Sequence, residues 1–293
     1  MKIGVTVVAR WHGGTVARWH GGTGSGGCGL RWRWCSDGSG GVLALGFGAP
    51  IGTDTHRVAD EGFGGLVLKL GGDLAGASVE GERLLAGGGA TNAVCLHRVR
   101  AGGLGGFEFA CAIPGTIGGG VWMNAGAYGS DWATILERAL VVDADGARWL
   151  TPDELGLSYR HSELRHGQVV ARAEFLLAPL PEEQIKANVA RLQALRKAAQ
   201  PTNKRTFGSV FKNPEHELTA GRLLEACGLK GHRIGGAQIS PRHANFIENA
   251  GDARSADAVA LMAEARRRGL EQFGVELRHE VEFLGPLELP PFG

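Results

Sequence analysis

An α+β fold is predicted for this 293-residue chain by three observations. Short apolar segments bounded by glycine turns read as strands. Two longer segments, 181–199 and 255–273, read as helices. The two kinds of element follow one another without the strict βαβ alternation that builds a parallel sheet.

Taken in order, residues 8–15 read VARWHGGT and residues 16–23 repeat them. The period is too short and the copies too few for a solenoid. A Gly, Arg, Trp, Cys and Ser tract without helical or strand periodicity follows, so irregular packing is expected over 1–41. The tract reads as unselected sequence, of the kind that out-of-frame translation of a G+C-rich gene or a misassigned leader yields. Its RWRW at 31–34 is weak support for stacking on nucleic-acid bases. VLALGFG (42–48) reads as a strand entering a glycine turn, and ADEGFGGLVLKL (59–70) as a turn and an apolar strand. A hairpin around Gly81 is expected over 77–91, then a short helix over 92–102 ending at Gly102 and Gly103. Residues 136–150 alternate as a hairpin with Asp145-Gly146 at its turn. Pro152, Asp153 and Glu154 start a short helix, and VVARAEFLLAPL (169–180) is a strand. Pro181 opens a helix whose apolar face is Ile185, Val189, Leu192 and Leu195, and Pro201 stops it at a domain boundary. Beyond it, Thr219 caps a helix that Gly228 ends. Two strands flank Pro241, Ser255 caps the last helix, and VELRHEVEFLG closes the domain as a strand.

Composition excludes several classes. Net charge is +1, which gives no footprint for nucleic acid. Apolar runs fall short of the roughly 18 residues that span a bilayer, and no cleavage site follows the N-terminal apolar run. Five scattered cysteines without CxxC read as reduced thiols of a cytoplasmic protein. The ten histidines show no paired-ligand spacing, so no metal is expected. Glycine is the outlier, at 49 residues against a usual share of about 7%.

Four blocks carry candidate chemistry. IPGTIGGGVWMNAGAYG (113–129) offers glycines that permit positive φ and let backbone N–H groups approach a ligand such as pyrophosphate. On glycine content alone a tight turn is the stronger reading, and neither GxGxxG nor GxxxxGK[ST] fits. In SYRHSEL, Arg160 beside Tyr159 could hold a carboxylate or an enolate, or simply pair with Glu163. In GSVFKNP, Ser209 could cap a helix or deliver a proton, and Lys212 and Asn213 suit diphosphate and sugar or uracil groups. In VELRHEVEFLG, Glu280 reads as a solvated strand residue and His279 as a partly buried one sharing the apolar face.

Together with AGRLLEACGLKGHRIGGAQISPRHANFIENAG, these blocks resemble, in order and over about 59–285, the UDP-N-acetylenolpyruvoylglucosamine reductase family (UDP-N-acetylmuramate dehydrogenase). FGSVFKNP with AQISPRHANFI resembles its shorter, type II branch. The resemblance implies a vanillyl-alcohol-oxidase/PCMH-like FAD-binding fold plus a C-terminal α+β substrate domain. It divides the chain into 1–41, an aberrant low-complexity segment; 42–200, a two-lobed FAD-binding region with an incomplete first lobe; and 201–293, a UDP-sugar domain. It implies an enzyme with FAD as cofactor, NADPH as hydride donor and UDP-N-acetylglucosamine enolpyruvate as substrate. The product is UDP-N-acetylmuramate for peptidoglycan. Arg160 and Glu280 match the residues that stabilise the enolate, and Ser209 matches the proton donor. Ile113, Pro114, Gly115, Thr116, Gly118, Gly119, Asn124, Ala125, Gly126 and Tyr128 would line FAD. Tyr159, Lys212 and Asn213 would hold the UDP-sugar. A cytoplasmic monomer is expected, without nucleic-acid or membrane partners.

The departures are at the N-terminus. Residues 1–41 lack the family's Asn-Thr segment, and LGFGAPIGTDTHRVADEGF keeps only the flanks of its pyrophosphate loop. The alternative is therefore a flavin-free, inactive UDP-sugar-binding homologue. Another FAD-linked oxidase of the same fold ranks lower, since it would lack Ser209 in GSVFKNP and the HANFI block.

Overall fold

The computed structural model describes residues 5–8, 56–60 and 67–291. The tandem repeat beyond Val8, the Trp-Arg tract and the strand expected over 42–48 lie outside the described residues. The chain opens with β1 (Val5–Val8), β2 (His56–Val58), β3 (Val67–Leu70), β4 (Ala77–Glu80), β5 (Arg83–Gly87), α1 (Asn92–Ala101) and β6 (Leu104–Gly105). Then come α2 (Ile117–Trp122), β7 (Gly126–Ala127), β8 (Ser130–Asp131), β9 (Leu136–Asp143), β10 (Gly146–Leu150), β11 (Val169–Leu176) and β12 (Ala178–Pro179). The remainder is α3 (Glu182–Ala199), β13 (Thr206–Ser209), α4 (Ala220–Ala226), β14 (Arg233–Ile234), β15 (Ala237–Ile239), β16 (Phe246–Asn249), α5 (Ser255–Phe273) and β17 (Glu282–Leu284). One compact unit holds β1 and Gly64–Gln193; the other holds Asp54–Phe63 and Ala194–Gly293.

The first unit is built on an antiparallel sheet in the order β10-β9-β11-β5-β4. Gly81, at φ 59°, turns β4 into β5. The Thr91 side chain accepts from the Val94 N–H to start α1, which runs out at Gly102 and Gly103. Asp143 pairs with Gly146, so the β9–β10 turn centres on Ala144 and Asp145, one residue earlier than expected. Gly146 instead begins β10 at φ 135°, a conformation other residues rarely adopt. Against expectation for 1–41, Val5–Val8 forms a strand, antiparallel to β3; its VTVV sequence is rich in β-branched residues. The short helix expected at Pro152 is a turn. Thr151 and Glu154 make the reciprocal bonds of a capping box, but Gly156 at φ 57° ends the segment before a helix propagates.

The core of this unit centres on Trp132, fully buried, whose ring meets Phe109 edge-on at 5.0 Å and Phe175 at 6.3 Å. Phe107 completes the cluster at 5.6 Å from Trp132. Such tilted and edge-to-face contacts match the ring quadrupoles. On α3, Ile185 and Leu192 are buried and Val189 half-buried, but Leu195 is 45% exposed, so the buried stripe ends a turn earlier than its spacing suggests.

The second unit carries the sheet β13-β16-β15-β14. Leu223 and Leu224 of α4 and Leu261 and Met262 of α5 join Ile239, Leu277 and Val281 in its core. Arg254, not Ser255, occupies the N-cap of α5. Ser255 is the first helical residue, and both its N–H (2.8 Å) and its hydroxyl (3.0 Å) donate to Asp60. Thr219 caps α4, accepting from the Arg222 N–H. The closing segment is a strand only over Glu282–Leu284, where β17 runs parallel to β2. Before it, a single bridge joins Phe211 to His279. His279 is exposed rather than partly buried, because its ring stacks on Phe283 at 5.5 Å instead of entering the core. Among the described residues no helix is long and apolar enough to cross a membrane.

Candidate active site

In the first unit, the stretch 113–129 is not a uniform loop. Gly118, Gly119 and Gly120 lie inside α2, and among the stretch's first eight residues only Gly115 has positive φ, at 128°. The helical glycines serve close packing. A Cβ at Gly118 would fall 2.9 Å from the Gly88 carbonyl, whose oxygen accepts from the Gly118 N–H at 2.8 Å. A Cβ at Gly120 would fall 2.5 Å from the Trp132 ring. Positive φ returns at Asn124 (39°), Tyr128 (54°) and Gly129 (85°), where the chain folds back through β7 and β8.

Asn124 is buried, and its carboxamide is engaged by the protein. Its Nδ2 donates to the Ser158 carbonyl at 2.9 Å and to Asp131 at 3.3 Å, and its Oδ1 accepts from the Ala133 N–H at 2.9 Å. The side chain therefore ties three loop segments together and sets the course of the backbone through Ala125 and Gly126. Arg160 sits at φ 53° in a tight turn closed by two bonds between Ser158 and His161, each 3.1 Å. Its guanidinium donates to the carbonyls of Asn124 and Gly126 and lies 5.0 Å from the Tyr159 ring centroid. Tyr159 (53%) and Tyr128 (46%) expose their rings. One cluster thus gathers Asn124, Ala125, Gly126, Tyr159 and Arg160.

The residues expected to line FAD fit that group in kind. From Ile113 to Gly126 there is no acidic side chain to repel a diphosphate. Gly115 opens the backbone, and the half-buried Ile113 and the exposed Tyr128 ring supply apolar surface for a flat heterocycle.

In the second unit, Ser209 ends β13 on an exposed edge and caps no helix. Its Oγ accepts from Asn245 Nδ2 at 2.9 Å. The Val210 carbonyl accepts from the Glu280 N–H at 2.8 Å, and the Arg278 carbonyl accepts from the Lys212 N–H at 2.9 Å. These two bonds, around the Phe211–His279 bridge, lay Val210–Lys212 alongside Arg278–Glu280, so the residue next to Ser209 in the chain pairs with the half-buried Glu280. Asn213 Oδ1 accepts from the Ala220 N–H at 3.1 Å, so part of this side chain serves the start of α4. Lys212 lines a cavity of about 380 Å³ with Arg266, Arg278 and His279, a strongly cationic recess.

Asn245 is the residue that motif reading passed over, although HANFI contains it. It is 4% exposed and makes hydrogen bonds through both ends of its carboxamide. Its N–H donates to His243 Nδ1 at 3.2 Å. Burial, helped by the Lys230 charge, pushes the His243 imidazole below its ordinary pKa, which keeps that nitrogen an acceptor.

Comparison with known proteins bears on both units. The family described as UDP-N-acetylenolpyruvoylglucosamine reductase, C-terminal domain, matches residues 200–284. An FAD binding domain family matches 32–150. The UDP-N-acetylenolpyruvoylglucosamine reductase 2 of Symbiobacterium thermophilum is 44% identical over 231 residues, 78% of this chain and 74% of that protein. The reductase of Sphingopyxis alaskensis is 43% identical over 249 residues, 84% of this chain and 81% of its own. The crystal structure of the reductase from Thermus caldophilus superposes with a TM-score of 0.68 at 35% identity, covering 79% of this chain and 86% of that one.

Proposed function

The chain belongs to the UDP-N-acetylenolpyruvoylglucosamine reductase family, and from that premise we propose that it reduces UDP-N-acetylglucosamine enolpyruvate to UDP-N-acetylmuramate for peptidoglycan, using FAD and NADPH. It would act in the cytoplasm as a monomer. Bound FAD would supply the hydride relay, taking a hydride from NADPH and delivering one to C3 of the enolpyruvyl group. The chain's own residues then have three tasks.

The first is to hold the ligands. Ile113–Thr116, Gly118, Gly119 and the Asn124–Gly126 backbone with Tyr128 would line FAD, and Tyr159, Lys212 and Asn213 would hold the UDP-sugar. The second is to stabilise charge on the enolate-like intermediate. Arg160 would do so from a turn closed by two backbone bonds, its guanidinium held on the Asn124 and Gly126 carbonyls, and Glu280 would work with it. The third is to protonate C2, the task of the Ser209 hydroxyl.

The observation that supports this reading is the ladder of Val210–Lys212 with Arg278–Glu280, which runs the chain just after Ser209 alongside Glu280. Purified full-length chain tests it. A yellow preparation, bleached by NADPH and recoloured by UDP-N-acetylglucosamine enolpyruvate with formation of UDP-N-acetylmuramate by mass spectrometry, is the expected result. A colourless protein that FAD cannot reconstitute, yet that still binds the UDP-sugar, would overturn it in favour of a flavin-free homologue.

A further inference from the structure

We propose that Asn245 is a positioning residue that fixes the direction of the Ser209 hydroxyl, turning its proton outward and strengthening it as an acid. The inference rests on the reading of Ser209 as proton donor to C2.

The carboxamide of Asn245 has only one workable orientation. Its Oδ1 accepts from the Phe211 N–H at 3.0 Å, while its Nδ2 donates to the Phe211 carbonyl at 2.8 Å. Exchanging O and N would set donor against donor and acceptor against acceptor at both contacts. Nδ2 has two hydrogens; one goes to Phe211 and the other to Ser209 Oγ at 2.9 Å. The serine oxygen is therefore an acceptor toward Asn245, and its own proton must point to a third group.

The backbone of Asn245 is itself held: its main-chain carbonyl accepts from the Val210 N–H at 2.9 Å, and its main-chain N–H donates to His243 Nδ1 at 3.2 Å. Upstream, Ser240 Oγ accepts from the N–H groups of Arg242 and His243, which shapes the turn between β15 and β16. Asn245 thus clamps Val210 and Phe211 by three bonds and reaches past them to Ser209.

The chemical consequence concerns the proton-transfer step. The Oγ–H bond breaks, a C2–H bond forms using the carbanion's electron pair, and the O–H pair remains on Oγ as an alkoxide that solvent reprotonates. An N–H donated into Oγ stabilises that alkoxide and lowers the acidity barrier.

The test uses Ser209→Cys, which leaves Asn245 in place and puts a titratable thiol where the hydroxyl was. Alkylation by iodoacetamide as a function of pH, followed at the peptide carrying position 209 by mass spectrometry, gives the thiol's pKa. We expect it at least about one unit below the ordinary value of about 8.5. Adding Asn245→Asp, whose carboxylate cannot donate and repels the thiolate, should raise it above that value. In the Ser209 background, Asn245→Asp should lower kcat for the sugar about 10- to 100-fold with little change in its KM. An ordinary thiol pKa in Ser209→Cys overturns the proposal even if every Asn245 variant fails to fold. So does a lowered pKa that Asn245→Asp leaves unchanged. If the thiol behaves as expected but Ser209→Ala reduces the sugar at full rate, the proton-donor reading is what fails.

Discussion

Replacing Ser209 by alanine should slow the reoxidation of reduced flavin by the enolpyruvyl sugar roughly 10²- to 10⁴-fold, the range for loss of a general acid. Stopped-flow absorbance separates that half-reaction from reduction by NADPH, which should suffer far less; equal losses would refute the role. Asn124→Ala should act differently. It strands the Ala133 N–H and the Ser158 carbonyl and puts alanine at φ 39°, so a loss of about 2–4 kcal/mol is expected by urea denaturation, together with reduced FAD content. At this scale the sequence singled out candidates unevenly. Arg160, Ser209 and Glu280 were singled out by the family resemblance of their blocks; on local spacing alone each had an ordinary structural reading. Asn245 was not, since the bond that gives it meaning spans 36 positions and a carboxamide in HANFI looks like any other. Asn124 was expected to line FAD, and nothing in its local sequence showed that its side chain is consumed by its own loop.

Among elements, α2 depends on small residues where helix propensity would ask for large ones. Gly120→Ala improves intrinsic propensity by about 1 kcal/mol, yet its Cβ would meet the Trp132 ring at 2.5 Å. Overpacking should win, with a net destabilisation of about 1–3 kcal/mol in a thermal or urea melt. On α5, Arg267 holds Glu264 down to a pKa of about 2, with Arg268 adding to it against burial. A carboxyl lowered from its ordinary 4.5 contributes stability that is complete above that value and lost as pH falls toward 2. Glu264→Gln should therefore be less stable than the parent at pH 7, with the gap closing between pH 4.5 and 2.5 in urea melts. Hairpins and capped helices such as β4–β5, α1 and α4 were readable because their signals lie within a few residues. The closing segment VELRHEVEFLG was not, because its pairing partners are Phe211 and β2, and no local pattern reveals that most of it lies outside a sheet.

For the molecule as a whole, the two units have separate hydrophobic cores. Hydrogen exchange followed by mass spectrometry should show FAD slowing exchange within 113–128, and the UDP-sugar slowing it within 209–213. Protection by FAD confined to the second unit would contradict the assignment of the glycine-rich stretch. The α+β class was readable from sequence, because strand-like and helix-like segments follow one another without strict alternation. What could not be read was the discontinuity of the second unit, which follows from contacts between chain segments nearly at opposite ends. Asp60 receives its bonds from Ser255, 195 positions later, and β2 takes up β17 later still. On a ribosome adding about 5–20 residues per second, Asp60 would emerge roughly 10–40 s before Ser255 is made. During that interval a nascent strand waits without its neighbour, so synthesis must reach the far end of the message before the second unit can close.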